Sequence, residues 1–97
     1  MKNVTKLEII TEKRAIEQVV GIIEKHGVTG HTVINEVTGK GKRGIKHGED
    51  LNDVFKNCMI ITVCDAEQAV LIEAELKEFL KRISGICIVS EVKYLLH

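Results

Sequence analysis

The period of the apolar residues most narrows what this chain can fold into. It runs from strand-like to helical and back, twice over. Residues 4–11, VTKLEIIT, carry Leu7, Ile9 and Ile10 in a β-favouring stretch. From Glu12 to His26 the apolar positions are Ala15, Ile16, Val19, Val20, Ile22 and Ile23. Spacings of three and four put these on one face of a helix. Gly27 follows as a left-handed stop, and the internal Gly21 is expected to mark close packing. Residues 31–38, HTVINEVT, and 57–64, NCMIITVC, are the next two strands. Asp65 stands three residues before Gln68, a capping-box spacing that opens a helix over 66–82. That helix turns Ala69, Ile72, Leu76, Phe79 and Leu80 to one side. Gly85 breaks the chain, and residues 86–96, ICIVSEVKYLL, form the last strand.

The order is strand, helix, strand, loop, strand, helix, strand. Right-handed crossovers in both halves lead to an α+β, ferredoxin-like βαββαβ sandwich, an antiparallel sheet with both helices on one face. Its 97 residues allow a single domain spanning 1–97 with a modest core. The uncovered face of such a sheet should alternate toward polar residues. Strand three does not: Cys58, Met59, Ile60, Ile61, Val63 and Cys64 are apolar on both faces. Ile86, Cys87, Ile88 and Val89 repeat the pattern in strand four. Such a face on a small monomer would be adhesive, so self-association is expected.

Composition removes several classes of function. Fourteen basic and fourteen acidic side chains leave no net charge to attract nucleic acid, and Phe55, Phe79 and Tyr94 alone give no stacking platform for a strand. No apolar run approaches the length of a membrane span, so direct insertion is not expected. The N-terminus has no signal-peptide pattern. Cys58, Cys64 and Cys87 lack paired spacing, which suits a reducing, cytoplasmic setting with the thiols buried. His31 and His47 have no partner at zinc-finger spacing, so no metal site is expected. His26 ends a helix, where a cation complements the dipole. No nucleophile–base or carboxylate pair has useful spacing, so an enzyme is not expected.

The chemistry-bearing segment is the loop between the halves. Gly39, Gly41, Gly44 and Gly48 alternate there with Lys40, Lys42, Arg43 and Lys46, before an acidic patch of Glu49, Asp50 and Asp53. Glycines let backbone N–H groups approach an anion, and the cations add charge and forked donors. The run lacks the full Walker pattern and the setting of a dinucleotide fold. By itself it fits an anion-binding loop or a solvated one.

The run Gly27-Val28-Thr29-Gly30-His31-Thr32-Val33, followed by Gly39-Lys40-Gly41-Lys42-Arg43-Gly44, resembles the PII signalling superfamily. It is most similar to the PII-like branch of carboxysome-associated proteins and regulators of bicarbonate transporters. The resemblance implies a homotrimer with adenine-nucleotide sites between subunits. It also implies a T-loop, here about residues 39–54, that reports the ligand to a membrane transporter or a metabolic enzyme. Carried over by position, Gly39, Lys40, Gly41, Lys42 and Arg43 would hold the phosphates. Thr32 would face the adenine, Ile10 and Val63 would line its pocket, and Gly85 would match a second phosphate-side loop. No further cofactor is implied.

The departures set further expectations. The T-loop is short and residues 44–55 hold no tyrosine, so uridylylation is not supported. Residues 82–86, RISGI, lack the family's glycine-rich, lysine-containing clamp, and the chain ends at His97, near the first of the family's C-terminal arginines. Fewer cationic donors favour ADP or AMP over ATP. The alternative is another ferredoxin-like oligomer, a metal-tolerance protein or an amino-acid-binding regulatory domain.

Overall fold

The computed structural model describes residues 2–39 and 57–95. Strand β1 spans Lys2–Glu12, a 3-10 turn covers Lys13–Ala15, and helix α1 spans Ile16–Lys25. Strands β2 (Thr32–Val37) and β3 (Asn57–Cys64) follow, then helix α2 (Ala66–Ile83) and strand β4 (Gly85–Tyr94). The sheet order is β2-β3-β1-β4, and every pairing is antiparallel. This is the expected ferredoxin-like arrangement.

Several boundaries differ from the periodicity, by one or two residues at most ends and by more at the start of α1. Glu12 stays in β1 and α1 begins only at Ile16. Thr11 is fully buried, and its Oγ1 donates to the Ser84 carbonyl at 3.0 Å, which ties the end of β1 to the α2–β4 junction. The fourth strand begins at Gly85, one residue early, and closes at Tyr94. Gly21 makes no close contact, since a Cβ there would meet nothing within 4 Å. The packing expected of it is absent, and its cost to the helix is uncompensated.

The signals at the helix ends hold. Asp65 Oδ1 accepts from the Gln68 backbone N–H at 2.8 Å, and Gln68 Oε1 accepts from the Asp65 N–H at 3.1 Å. Gly27 sits at φ 87° behind α1. Gln68 Nε2 then reaches the His26 carbonyl at 3.3 Å, so the start of α2 caps the end of α1. His26 also works through its ring, whose Nε2 meets Glu75 Oε1 at 2.8 Å.

Alternate residues of each strand divide between the two faces. Toward the helices, Leu7, Ile9, Cys58 and Ile60 pack against Val19, Ile23, Ile72 and Leu76. Burying each of the larger side chains stabilises by about 1.5–3 kcal/mol. The other face carries Ile10, Ile34, Met59, Ile61, Val63, Ile86 and Ile88, all partly open. Lys6 and Glu8 interrupt it as a 3.7 Å ion pair. Among the described residues no helix is long and apolar enough to cross a membrane.

Candidate functional site

The turn after α1 and the strand it feeds build one wall of a cavity of about 660 Å³. Gly27, Val28, Thr29, Gly30, His31 and Thr32 line it, facing Ile61, Thr62, Val63 and Cys64 of β3. Its size falls within the range of small-molecule sites. Thr62 Oγ1 donates to the Gly30 carbonyl, which fixes the turn against the strand. Asp65 and Gln68 of the capping box also line the cavity, as do Lys2, Val4 and Tyr94.

Two of the expected pocket residues meet here. Thr32 pairs with Ile61, and Val63 follows two residues later on the same face. Ile10 does not join them. It pairs with Met59 and Ile86, four positions along β3 from Val63, or about 14 Å at the rise of a strand. Gly85 belongs to the Ile10 end: it pairs with Thr11. One protomer therefore holds the expected site as two halves at opposite ends of its sheet.

The exit of β2 is aimed at the Ile10 end. Asn35 pairs with Cys58 but Val37 pairs with Asn57, so Glu36 is an extra residue in a β-bulge, at φ 59°. Its carboxylate meets Lys13 Nζ at 3.6 Å. The bulge shifts the alternation by one, which puts Val37 in phase with the open face rather than the helical one. Gly39 lies two residues past the end of the strand, exposed and with nothing within 4 Å of where a Cβ would stand. Lys40, Gly41, Lys42 and Arg43 lie outside the described residues, as do His47, Glu49, Asp50, Asp53, Phe55 and His97.

Gly85 is constrained by packing. A Cβ there would stand 2.8 Å from both the Ile10 carbonyl oxygen and Leu80 Cδ2. Ser84 alone connects α2 to β4, at φ 95°. Gly85 also borders a second cavity of about 440 Å³, between α2 and β4, walled largely by Leu76, Leu80, Cys87 and Val89. Glu73, Lys77 and Lys81 are its polar lining, all on α2, whereas the larger Gly27–Thr32 cavity gathers polar groups from several elements and holds Thr32 and Val63, so it is the better candidate.

The thiols are poor nucleophiles. Burial pushes Cys58, Cys64 and Cys87 up, Cys87 to about 11 with help from the Glu73 charge. Among the described residues no three His, Cys, Asp or Glu side chains converge on a point.

Comparison with known proteins decides among folds of this shape. Residues 4–95 match the family described as nitrogen regulatory protein P-II. The chain belongs to that family. This sets aside the metal-tolerance and amino-acid-binding alternative. Among solved structures, CPII from Thiomonas intermedia K12, bound to ADP, AMP and acetate, is similar with a TM-score of 0.80. The identity is 26%, over 96% of this chain and 89% of that one. CPII bound to ADP and bicarbonate also gives 0.80, at 27% identity, over 95% of this chain and 88% of that one. The Bacillus subtilis GlnK–ATP complex, at 23% identity and a TM-score of 0.65 over 95% and 84%, is a likeness of fold alone. No curated protein matches the chain in sequence.

Sequence reasoning missed Lys2, Gln68 and Tyr94 as cavity-lining residues. The signal for Tyr94 lay in the strand period, since Ile86, Ile88, Val92 and Tyr94 share the parity of one face. Gln68 was legible only as a cap.

Proposed function

We propose that this P-II family chain is a non-enzymatic, cytoplasmic regulatory protein that works as a homotrimer. It binds an adenine nucleotide in the clefts between subunits. The separation of Ile10 and Gly85 from Thr32 and Val63 carries this reading. A second copy can bring its Ile10–Gly39 end to the Gly27–Thr32 cavity of the first. The apolar open face, from Ile34 to Ile88, supplies the surface for that association.

In this reading Gly39, Lys40, Gly41, Lys42 and Arg43 hold the phosphates through backbone N–H groups and cations. Thr32 and Val63 of one subunit, with Ile10 and Gly85 of the next, enclose the base and ribose. ADP and AMP are favoured over ATP, because the connection at Ser84 leaves no room for a second donor loop. The CPII structures with ADP point the same way. Nucleotide binding orders residues 39–54 as a T-loop that acts on a partner, a membrane transporter or a metabolic enzyme.

Calorimetry on the purified protein tests the reading. ADP and AMP should bind, ATP more weakly, and the nucleotides should be recovered intact. Joint replacement Lys40→Ala and Arg43→Ala should weaken ADP at least tenfold with the trimer preserved. A wild-type protein that binds no adenine nucleotide, or that sediments as a monomer, overturns it.

A further inference from the structure

Resting on the nucleotide-binding reading, we infer that Tyr94 is the residue on which the base of the ligand stacks. Tyr94 closes β4 on the open face, directly across from Lys2 of β1. Although β4 is the far edge strand from β2, its last residue lines the same cavity as Gly27–Thr32 and Val63. The reason is the stagger of the sheet. β1 runs three residues past the point where Thr5 pairs with Cys64, the end of β3, and β4 follows it out to Lys2. Tyr94 thus flanks the β3 terminus, with Val4 and Val63 as the apolar floor beside it.

The ring is available for this. Tyr94 is 38% exposed, and among the described residues neither its hydroxyl nor its ring has a partner. Phe79, by contrast, is buried against the helical face, with Arg82 over its ring at 5.7 Å. Among the described residues Tyr94 is therefore the sole six-membered aromatic ring that a ligand on the open face can reach, with the smaller imidazole of His31 on the same cavity wall. A planar base needs such a surface because hydrogen bonds at its edge leave its faces wet. Stacking on one aromatic side chain is worth about 1–3 kcal/mol, or roughly five- to 150-fold in affinity. Thr32 and His31 line the same cavity with groups suited to the base edge.

Tyr94 is the chain's single tyrosine and there is no tryptophan, so its emission reports on this position alone. Titrating the wild-type trimer with ADP should quench tyrosine emission along the same isotherm as the calorimetric heat. Pyrophosphate, which has no base, should leave the emission unchanged. Tyr94→Phe should keep ADP affinity within about twofold, whereas Tyr94→Leu should lose at least fivefold. The Leu variant should bind pyrophosphate as the wild type does. ADP heat without quenching, or equal ADP affinity in the Leu and Phe variants, overturns the stacking role and leaves the nucleotide reading standing. A loss of pyrophosphate binding that matches the loss of ADP binding in Tyr94→Leu overturns it as well, since that marks a general disturbance of the site. No ADP heat at all removes the reading and this inference together.

Discussion

His26 Nε2 lies 2.8 Å from Glu75 Oε1, joining the C-terminal end of α1 to the middle of α2. Lys25 Nζ takes the other carboxylate oxygen at 2.7 Å, so Glu75 holds the last residue of α1 and its C-cap at once. The Gln68 contact with the His26 carbonyl lies two turns earlier on α2. These contacts fix the turn that opens into the Gly27–Thr32 cavity, which links helix packing to the shape of the site.

The Glu75 link should depend on pH in a set direction. Hydrogen bonds from Lys25 and then His26 hold its carboxyl below the ordinary 4.5. A depressed folded-state value stabilises above the unfolded value, and that contribution is lost as pH falls through the folded one. Thermal melts of wild type and Glu75→Gln should therefore differ at pH 7 and converge as the pH drops below about 4.5. A gap that persists unchanged at pH 3 contradicts the assignment.

Gly85→Ala should destabilise by about 1–3 kcal/mol. The added Cβ meets the Ile10 carbonyl oxygen at 2.8 Å, a backbone atom held in the sheet, and cannot be relieved by a rotamer change. Urea denaturation measures the loss, and an unchanged midpoint would mean that the α2–β4 junction yields.

Gly21→Ala should act in the opposite sense. The position is mid-helix, exposed and without neighbours for a Cβ, so alanine gains about 0.5–1 kcal/mol through the unfolded chain alone. Unfolding midpoints should rise with no change in nucleotide affinity.

Ile88→Lys should separate association from folding. Ile88 is 47% exposed on the open face, and Glu8 faces it across β1, so a lysine there gains an ion-pair partner within the protomer. Sedimentation should show a monomer, while far-ultraviolet circular dichroism stays that of the wild type. A variant that remains trimeric argues that the open face is not the interface.

Much of the fold was legible because its signals are local. The Asp65–Gln68 cap, the Gly27 stop and the alternation through β3 depend on residues within a turn of one another. The boundary errors arose where a distant contact competed with local propensity. Glu12 suited a helix start, yet the bond from its neighbour Thr11 to Ser84, across 73 residues of chain, holds this end of β1 in the strand. Gly21 misled for the complementary reason: a glycine's cost is local, but whether anything packs on it depends on the neighbouring helix.

The sequence by itself determined the element order, the family and the residue types suited to a phosphate, because each is written in short-range pattern. Tertiary structure alone decided how those residues are distributed. Strand register parted Ile10 from Val63, the Glu36 bulge put Val37 in phase with the open face at the end of β2, and the stagger of β1 and β4 brought Tyr94 to the cavity. Register and stagger follow from pairing between segments far apart in the chain, and no local pattern encodes them.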